Sequence, residues 1–356
     1  MKKKLRYGII GLNGICGKHL EGYGAMPDDV EIVACCDIVE ERLQRVADKY
    51  NIPRRYTDYH ELLQQPDIDF VSICLPNNLH ASATIEALKA GKHVHCEKPM
   101  AMNDEECAEM IAARNETGLQ LMIGLNNRFT PQAQFIKRLV EQGYFGDIYF
   151  AKCGWLRRNG LAHAGWFLDK EFSGGGPLID LGVHMIDLTM YLMGFPELDT
   201  VLAKCYTKFG DNEKRMAYTQ PRVKADMNWK CNVEDLATGF LTLKNDASLQ
   251  FEISWASNIE KEKIYYDLYG TEAGVHVEIC DGVTDMKLFS TLDQQMVTST
   301  VEINSQLVGE NEFAHFVRAM RENTPPTISV VEQAAETIRI IRGIYKSAET
   351  GKPVFF

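Results

Sequence analysis

Residues 5–124 alternate apolar, strand-like runs with helical stretches, and the first strand is joined to the first helix by a glycine-rich turn. Residues 5–10 (Leu-Arg-Tyr-Gly-Ile-Ile) form a buried run, followed at once by Gly11-Leu-Asn13-Gly14-Ile15-Cys16-Gly17. A helix is expected over 17–26 and a second apolar strand over 31–36, ending at Asp37. Helices at 40–50, 81–90 and 104–117 then alternate with strands at 70–75, 93–96 and 119–124. Alternation of this kind specifies a parallel, doubly wound sheet with helices on both faces. Its first β-α-β unit has the form that binds a dinucleotide, with pyrophosphate over the helix N-terminus and Asp37 on the ribose hydroxyls. The turn departs from GxGxxG at Asn13 and Cys16. Asn tolerates positive φ and Cys is small, so both are credible substitutes. A carboxylate at Asp37 repels a 2′-phosphate, and no Arg or Lys occurs in the next four residues, Ile38-Val39-Glu40-Glu41. The cofactor expected is therefore NAD and not NADP.

The chain has 356 residues, enough for two domains with their own cores. Its net charge of −11 argues against nucleic acid as a partner. The basic start, Met1-Lys-Lys-Lys-Leu-Arg6, leads into glycine-rich sequence instead of the apolar core of a signal peptide. No apolar run approaches the length of a membrane span. The ten cysteines form no CxxC pair and lie mostly in apolar contexts, as reduced thiols of a cytoplasmic protein do.

A second informative stretch is Ser173-Gly-Gly-Gly-Pro-Leu-Ile-Asp180-Leu-Gly182-Val-His184-Met-Ile-Asp187. Pro177 suits a first helical turn. Asp180 and His184, four residues apart, are then expected on one helix face. Imidazole is suited to moving a proton near neutral pH, and a carboxylate one turn away orients it. Gly182 between them would let a flat ligand approach. Asp187 lies off the Asp180–His184 line and reads as structural, so no metal site is expected.

From residue 146 the texture changes to strand-like runs at 147–156, 200–207, 234–243, 247–256, 263–269, 274–279 and 297–303. This is the pattern of a mainly antiparallel sheet with helices on one face. The fold class expected is thus α/β plus α+β: a Rossmann domain over 1–125, a substrate and oligomerisation domain over 126–330, and a last helix over 331–348 packed back on the first domain. The loop 155–167 is aromatic, basic and glycine-spaced. Its Arg157, Arg158, His163 and Trp166 suit a sugar, whose C–H faces stack on aromatic rings and whose hydroxyls accept hydrogen bonds.

Taken in order, the glycine turn, Pro76-Asn77…His80, Glu97-Lys98-Pro99, Asn127-Arg128-Phe129 and Asp180-x-Gly182-x-His184 resemble the glucose-fructose oxidoreductase, inositol dehydrogenase and rhizopine-catabolism family (Gfo/Idh/MocA) over nearly the whole chain. The resemblance implies that Lys98, Asp180 and His184 are catalytic. It also implies that Gly11, Asn13, Gly14, Ile15, Asp37, Leu75, Pro76, Asn77, His80, Glu97, Lys98 and Arg128 line the NAD site. The substrate would meet Lys98, Arg157, Arg158, His163, Trp166, Asp180 and His184. A cis Lys98–Pro99 bond and association through the open face of the second sheet are implied too. The expected activity is oxidation of a secondary hydroxyl of a sugar or glycoside, at C3 of a glucoside. Its main rival is a myo-inositol or other polyol dehydrogenase. Two readings of other classes are an NAD-dependent glycosidase and a non-catalytic sugar-sensing regulator.

Overall fold

A computed structural model of the chain describes residues 3–160, 165–209, 231–304 and 309–356. They divide into two compact units, Met1–Asn126 with Glu310–Ala335, and Asn127–Gly309 with Glu336–Phe356.

The first unit is built on six parallel strands: β1 (Leu5–Ile10), β2 (Val30–Cys36), β3 (Arg54–Tyr56), β4 (Phe70–Ile73), β5 (His93–Cys96) and β6 (Leu121–Ile123). Their order is β3-β2-β1-β4-β5-β6. The connecting helices are α1 (Cys16–Gly24), α2 (Glu40–Lys49), α3 (Tyr59–Leu63), α4 (His80–Lys89) and α5 (Asp104–Thr117). Strand order reverses between β1 and β4, and in open α/β sheets ligands bind beyond the strand carboxyl ends at such a switch point. Strand β3 is a three-residue edge, too short for a recognisable apolar run.

The second unit contains α6 (Pro131–Glu141), β7 (Ile148–Leu156), α7 (Lys170–Ser173), α8 (Val183–Leu192), β8 (Leu198–Tyr206), β9 (Leu236–Leu243), β10 (Ser248–Ser254), β11 (Lys263–Gly270), β12 (Ala273–Cys280), β13 (Val283–Leu292) and β14 (Gln295–Thr300). Among the described residues its sheet runs β14-β13-β12-β11-β7-β10-β9-β8-β15, where β15 is Val354–Phe355. Every pairing is antiparallel except β7 with β10. Strand β13 gives no strand signal in the sequence because only one of its ten residues is buried and its apolar residues are interrupted by polar ones, without the run of a buried strand.

Two helices follow, α9 (Glu312–Glu322) and α10 (Val331–Thr350). Their division differs from the sequence expectation. Helix α9 clusters with the first unit, where Phe313 packs so tightly on Gly22 of α1 that a Cβ there would strike its ring. Helix α10 joins the first unit only as far as Ala335, and from Glu336 on belongs to the second. The reason is a set of polar anchors within the second unit: Thr337 donates to Asp187 and Tyr345 to Glu234. All ten cysteines are free thiols. Among the described residues no helix is long and apolar enough to cross a membrane.

Candidate active site

The glycine turn of the first unit carries two backbone conformations that only glycine adopts at little cost. Gly11 has φ 89° and Gly14 φ 46°. A Cβ on Gly11 would collide with the carbonyl of Cys74, so this glycine lets the ends of β1 and β4 close up. A Cβ on Gly14 would stand in open space, leaving a bare backbone in front of α1. Asn13 does not fill its position through a positive φ, as the sequence reading supposed. The left-handed residue is Gly14, and Asn13 Oδ1 accepts its N–H at 3.0 Å. Ile15 is the N-cap of α1 and makes no side-chain cap, so no side chain competes for the helix N-terminus. An anion such as pyrophosphate fits this arrangement.

Asp37, at the tip of β2, is buried and accepts four hydrogen bonds. Oδ2 accepts the Leu12 N–H at 2.9 Å and Arg42 Nε at 2.8 Å; Oδ1 accepts the Val39 N–H at 2.8 Å and Arg42 Nη2 at 2.7 Å. Burial works against its charge, but Arg42 and the two amides prevail and hold the carboxyl below its usual range. Although residues 38–41 hold no Arg or Lys, Asp37 has a basic partner in Arg42. It lies five residues on, the next residue after those four, and the first turn of α2 brings it back to Asp37.

The strand-end motifs at β4 and β5 are tied to each other. The His80 ring faces the carbonyl of Leu75 through Nε2 at 2.9 Å and that of Pro99 through Nδ1 at 2.7 Å. Burial lowers the pKa of His80, with both carbonyls opposing. This ring therefore links the two motifs and is closed to solvent. Pro76 caps a short 3₁₀ turn that holds Asn77 in a buried position. The Lys98–Pro99 peptide is cis. Glu97 is buried; Oε1 faces His19 Nε2 at 2.7 Å, while Oε2 accepts the Lys98 N–H at 3.2 Å. His19 in turn faces Ser72 Oγ through Nδ1 at 2.9 Å. Burial opposes ionisation of Glu97, yet His19 outweighs it and the carboxyl is held down to about 2. His19 lay outside the sequence reading because its partner is 78 residues away. Lys98 is half-buried next to this ionised carboxylate.

In the second unit the stretch from Ser173 to His184 is shaped by close packing. Gly174 caps α7 in the left-handed region, φ 80°. A Cβ on Gly175 would strike the Tyr345 hydroxyl, and one on Gly176 the Glu234 carbonyl. The helix after Pro177 does not start as an α-helix. Leu178–Gly182 forms a π turn, and α8 follows from Val183. Such turns are wide and occur often at functional sites. Gly182 does not face a ligand as expected, since a Cβ there would meet Leu178 and Ile253 of the core. Asp180 Oδ2 accepts the indole N–H of Trp255 at 2.9 Å. His184 is buried, its ring 6.1 Å from that of Trp155.

Arg128 is not available to a cofactor. It is wholly buried, and its guanidinium grips Asp187 through Nε at 2.8 Å and Nη2 at 2.6 Å, between the rings of Tyr191 and Phe195. Asp187 is structural, as expected, though its partner lies 59 residues away and not on its own helix. In the loop, Arg157 stacks on Trp155 at 5.4 Å, and both reach Glu262. Arg158 is exposed and donates to the Glu260 carbonyl at 2.9 Å. Trp166 stacks on Phe167 at 3.9 Å. His163 lies outside the described residues.

A parallel sheet ordered 3-2-1-4-5-6 with a bare glycine turn and an acidic tip on β2 defines a dinucleotide-binding domain of the Rossmann type. The chain belongs to the Gfo/Idh/MocA oxidoreductase family: residues 5–125 match its NAD-binding Rossmann fold and residues 137–356 its C-terminal alpha/beta domain. It is similar to the D-glucoside 3-dehydrogenase of Escherichia coli K12, 33% identical over 98% of this chain and 97% of that one. Myo-inositol 2-dehydrogenase of Thermotoga maritima is 34% identical over 56% of this chain and 58% of the relative. A levoglucosan dehydrogenase solved in complex with NADH and levoglucosan shares the fold, with a TM-score of 0.85, 22% identity and coverage of 99% of both chains. The protein is an NAD-dependent dehydrogenase acting on CH–OH groups, within a family of sugar and polyol oxidoreductases.

Proposed function

We propose that the protein oxidises a ring hydroxyl of a sugar, the C3 hydroxyl of a glucoside. The observation that carries this reading is the full-length similarity to a D-glucoside 3-dehydrogenase. In the proposed reaction His184 takes the hydroxyl proton as general base. Asp180 orients the imidazole and supports its cationic form. Lys98 donates to the oxygen as negative charge grows there, a positive charge already in place when it is needed. Bound NAD supplies the acceptor for the hydride leaving the same carbon. Gly11, Gly14, Ile15 and Asp37 would hold the adenosine and pyrophosphate portion; Leu75, Pro76, Asn77 and Glu97 would line the nicotinamide end. Arg157, Arg158 and Trp166 would hold the sugar ring.

The outer face of the second sheet is proposed to pair with a second copy of the chain. Leu202 and Phe240 stand opposite each other on it and are 51% and 42% exposed, an apolar pair that association would cover. The ten free thiols of the chain suit a reducing cytoplasm, where the protein is proposed to act.

The test is incubation with NAD and a panel of glucosides, aldoses and inositols, following NADH absorbance and product mass. A glucoside product two mass units lighter, with its carbonyl at C3, is expected. Turnover of myo-inositol but of no glucoside would replace this reading with that of an inositol dehydrogenase.

A further inference from the structure

Strands β9 and β10 form a hairpin whose open end points at the stretch carrying Asp180. Leu236 pairs with Ser254, and the ladder runs one step further where the Trp255 N–H donates to the Asp235 carbonyl at 3.0 Å. Both strands grip the stretch from there. On one side, Glu234 Oε2 accepts the Gly176 N–H at 2.9 Å, and its Oε1 accepts the Leu178 N–H and the Tyr345 hydroxyl, each at 3.0 Å. On the other, the Trp255 indole donates to Asp180, and Ile253 lies against bare Gly182. Positions 176, 178, 180 and 182 are thus all fixed by one hairpin end. Trp255 is wholly buried, and an indole N–H is a donor only, so it demands an acceptor at that place. The acceptor is a carboxylate, which makes the bond charge-assisted.

We infer that Trp255 is a positioning residue that acts through Asp180: its indole sets the orientation of the carboxylate and draws off part of its charge, and so sets the proton affinity of His184. The inference rests on the reading of His184 as general base and of Asp180 as the carboxylate that orients it. An indole that merely filled the core would affect stability alone. An indole that tunes Asp180 must also affect the pH at which His184 loses its proton. Without the N–H, the Asp180 carboxylate keeps its full charge toward His184 and the imidazole holds its proton more tightly. The acid limb of kcat/KM, where His184 must be neutral to act, then moves to higher pH.

The experiment compares wild type, Trp255→Phe and His184→Asn, using the substrate the panel identifies. For Trp255→Phe the acid limb is expected to rise by about half to one pH unit and kcat to fall about tenfold. NADH binding, read by fluorescence titration, should stay within about twofold, because the lost donor serves Asp180 alone. An unmoved limb in Trp255→Phe, with His184→Asn inactive, overturns the inference about Trp255 only. Full activity in His184→Asn overturns the underlying reading instead. A readout that needs no altered core is the indole ¹⁵N–¹H spectrum of the wild type, which has four tryptophans. One indole signal should titrate with the kinetic limb and be displaced in Asp180→Asn. Indole signals indifferent to both would overturn the inference even if Trp255→Phe fails to fold.

Discussion

In the first unit, Asp37 and Glu97 follow the ends of β2 and β5 and His80 opens the helix after β4; Arg42 of α2, His19 of α1 and the carbonyls of Leu75 and Pro99 hold them there. In the second unit, Asp180 lies within a π turn and His184 just beyond it, and the turn is held by Glu234, Trp255 and Tyr345, which by their numbers lie 54 to 165 residues from Asp180. One unit borrows its geometry from the regular ends of a parallel sheet. The other needs a hairpin end and a helix to hold an irregular strap. A parallel sheet aligns its strand ends because the ladder does so at every strand. An irregular turn has no such repeat, so every polar group in it requires its own partner.

Four variants sharpen this contrast, in order of expected effect. Arg128→Met removes one member of a buried ion pair and leaves Asp187 uncompensated. It should cost roughly 3–5 kcal/mol of stability in the second unit, read by urea denaturation. Affinity for NADH in whatever remains folded should be unchanged; a selective loss of NADH binding with intact stability would return Arg128 to the cofactor site. Gly176→Ala forces a methyl against the Glu234 carbonyl. It should destabilise by about 1–3 kcal/mol and lower kcat, while the KM for NAD holds. Unaltered kcat would mean the strap moves without consequence.

Arg42→Ala addresses the first unit. It strips two donors from Asp37 and leaves the carboxylate only the Leu12 and Val39 amides, with more of its charge toward the proposed ribose position. The kcat/KM with NADP should drop by about tenfold relative to that with NAD, through stronger repulsion of the 2′-phosphate. Equal changes with both cofactors would show that Arg42 only buttresses α2. Glu97→Gln, the mildest, tests the pair with His19. The folded state holds this carboxyl down to about 2 against an ordinary 4.5, so ionised Glu97 stabilises the fold above about pH 4.5 and that contribution fades as the pH falls toward 2. Urea midpoints of the wild type should therefore fall across this window more steeply than those of Glu97→Gln. Parallel profiles would dismiss the pairing as a source of acid stability.

Much of the site was legible before the fold. The glycine turn, Asp37, the Glu97-Lys98-Pro99 motif and the Asp180–His184 spacing all stand on local sequence; the first three sit at strand ends, while Asp180 falls in a π turn ahead of the expected helix. What was not legible shares one property, a partner distant in sequence. His19 finds Glu97, Arg128 finds Asp187, Trp255 finds Asp180, and none of these pairs leaves a local pattern. Arg42 is the exception, since α2 returns it to Asp37 by ordinary helix geometry.

The chain's alternating apolar runs determine by themselves the parallel sheet of the first unit and the sheet-rich second, because strand and helix periods are written residue by residue. They also determine the cofactor class, since a glycine turn and a strand-tip carboxylate are local features. Tertiary structure alone decided that Gly175, Gly176 and Gly182 are spaces for Tyr345, Glu234 and Ile253 and not openings for a ligand. It likewise decided that Arg128 braces a helix, and that a buried indole holds the carboxylate proposed to orient the base. The physical reason is that burial removes water as an alternative partner, so each polar group must bond to whatever the fold brings beside it.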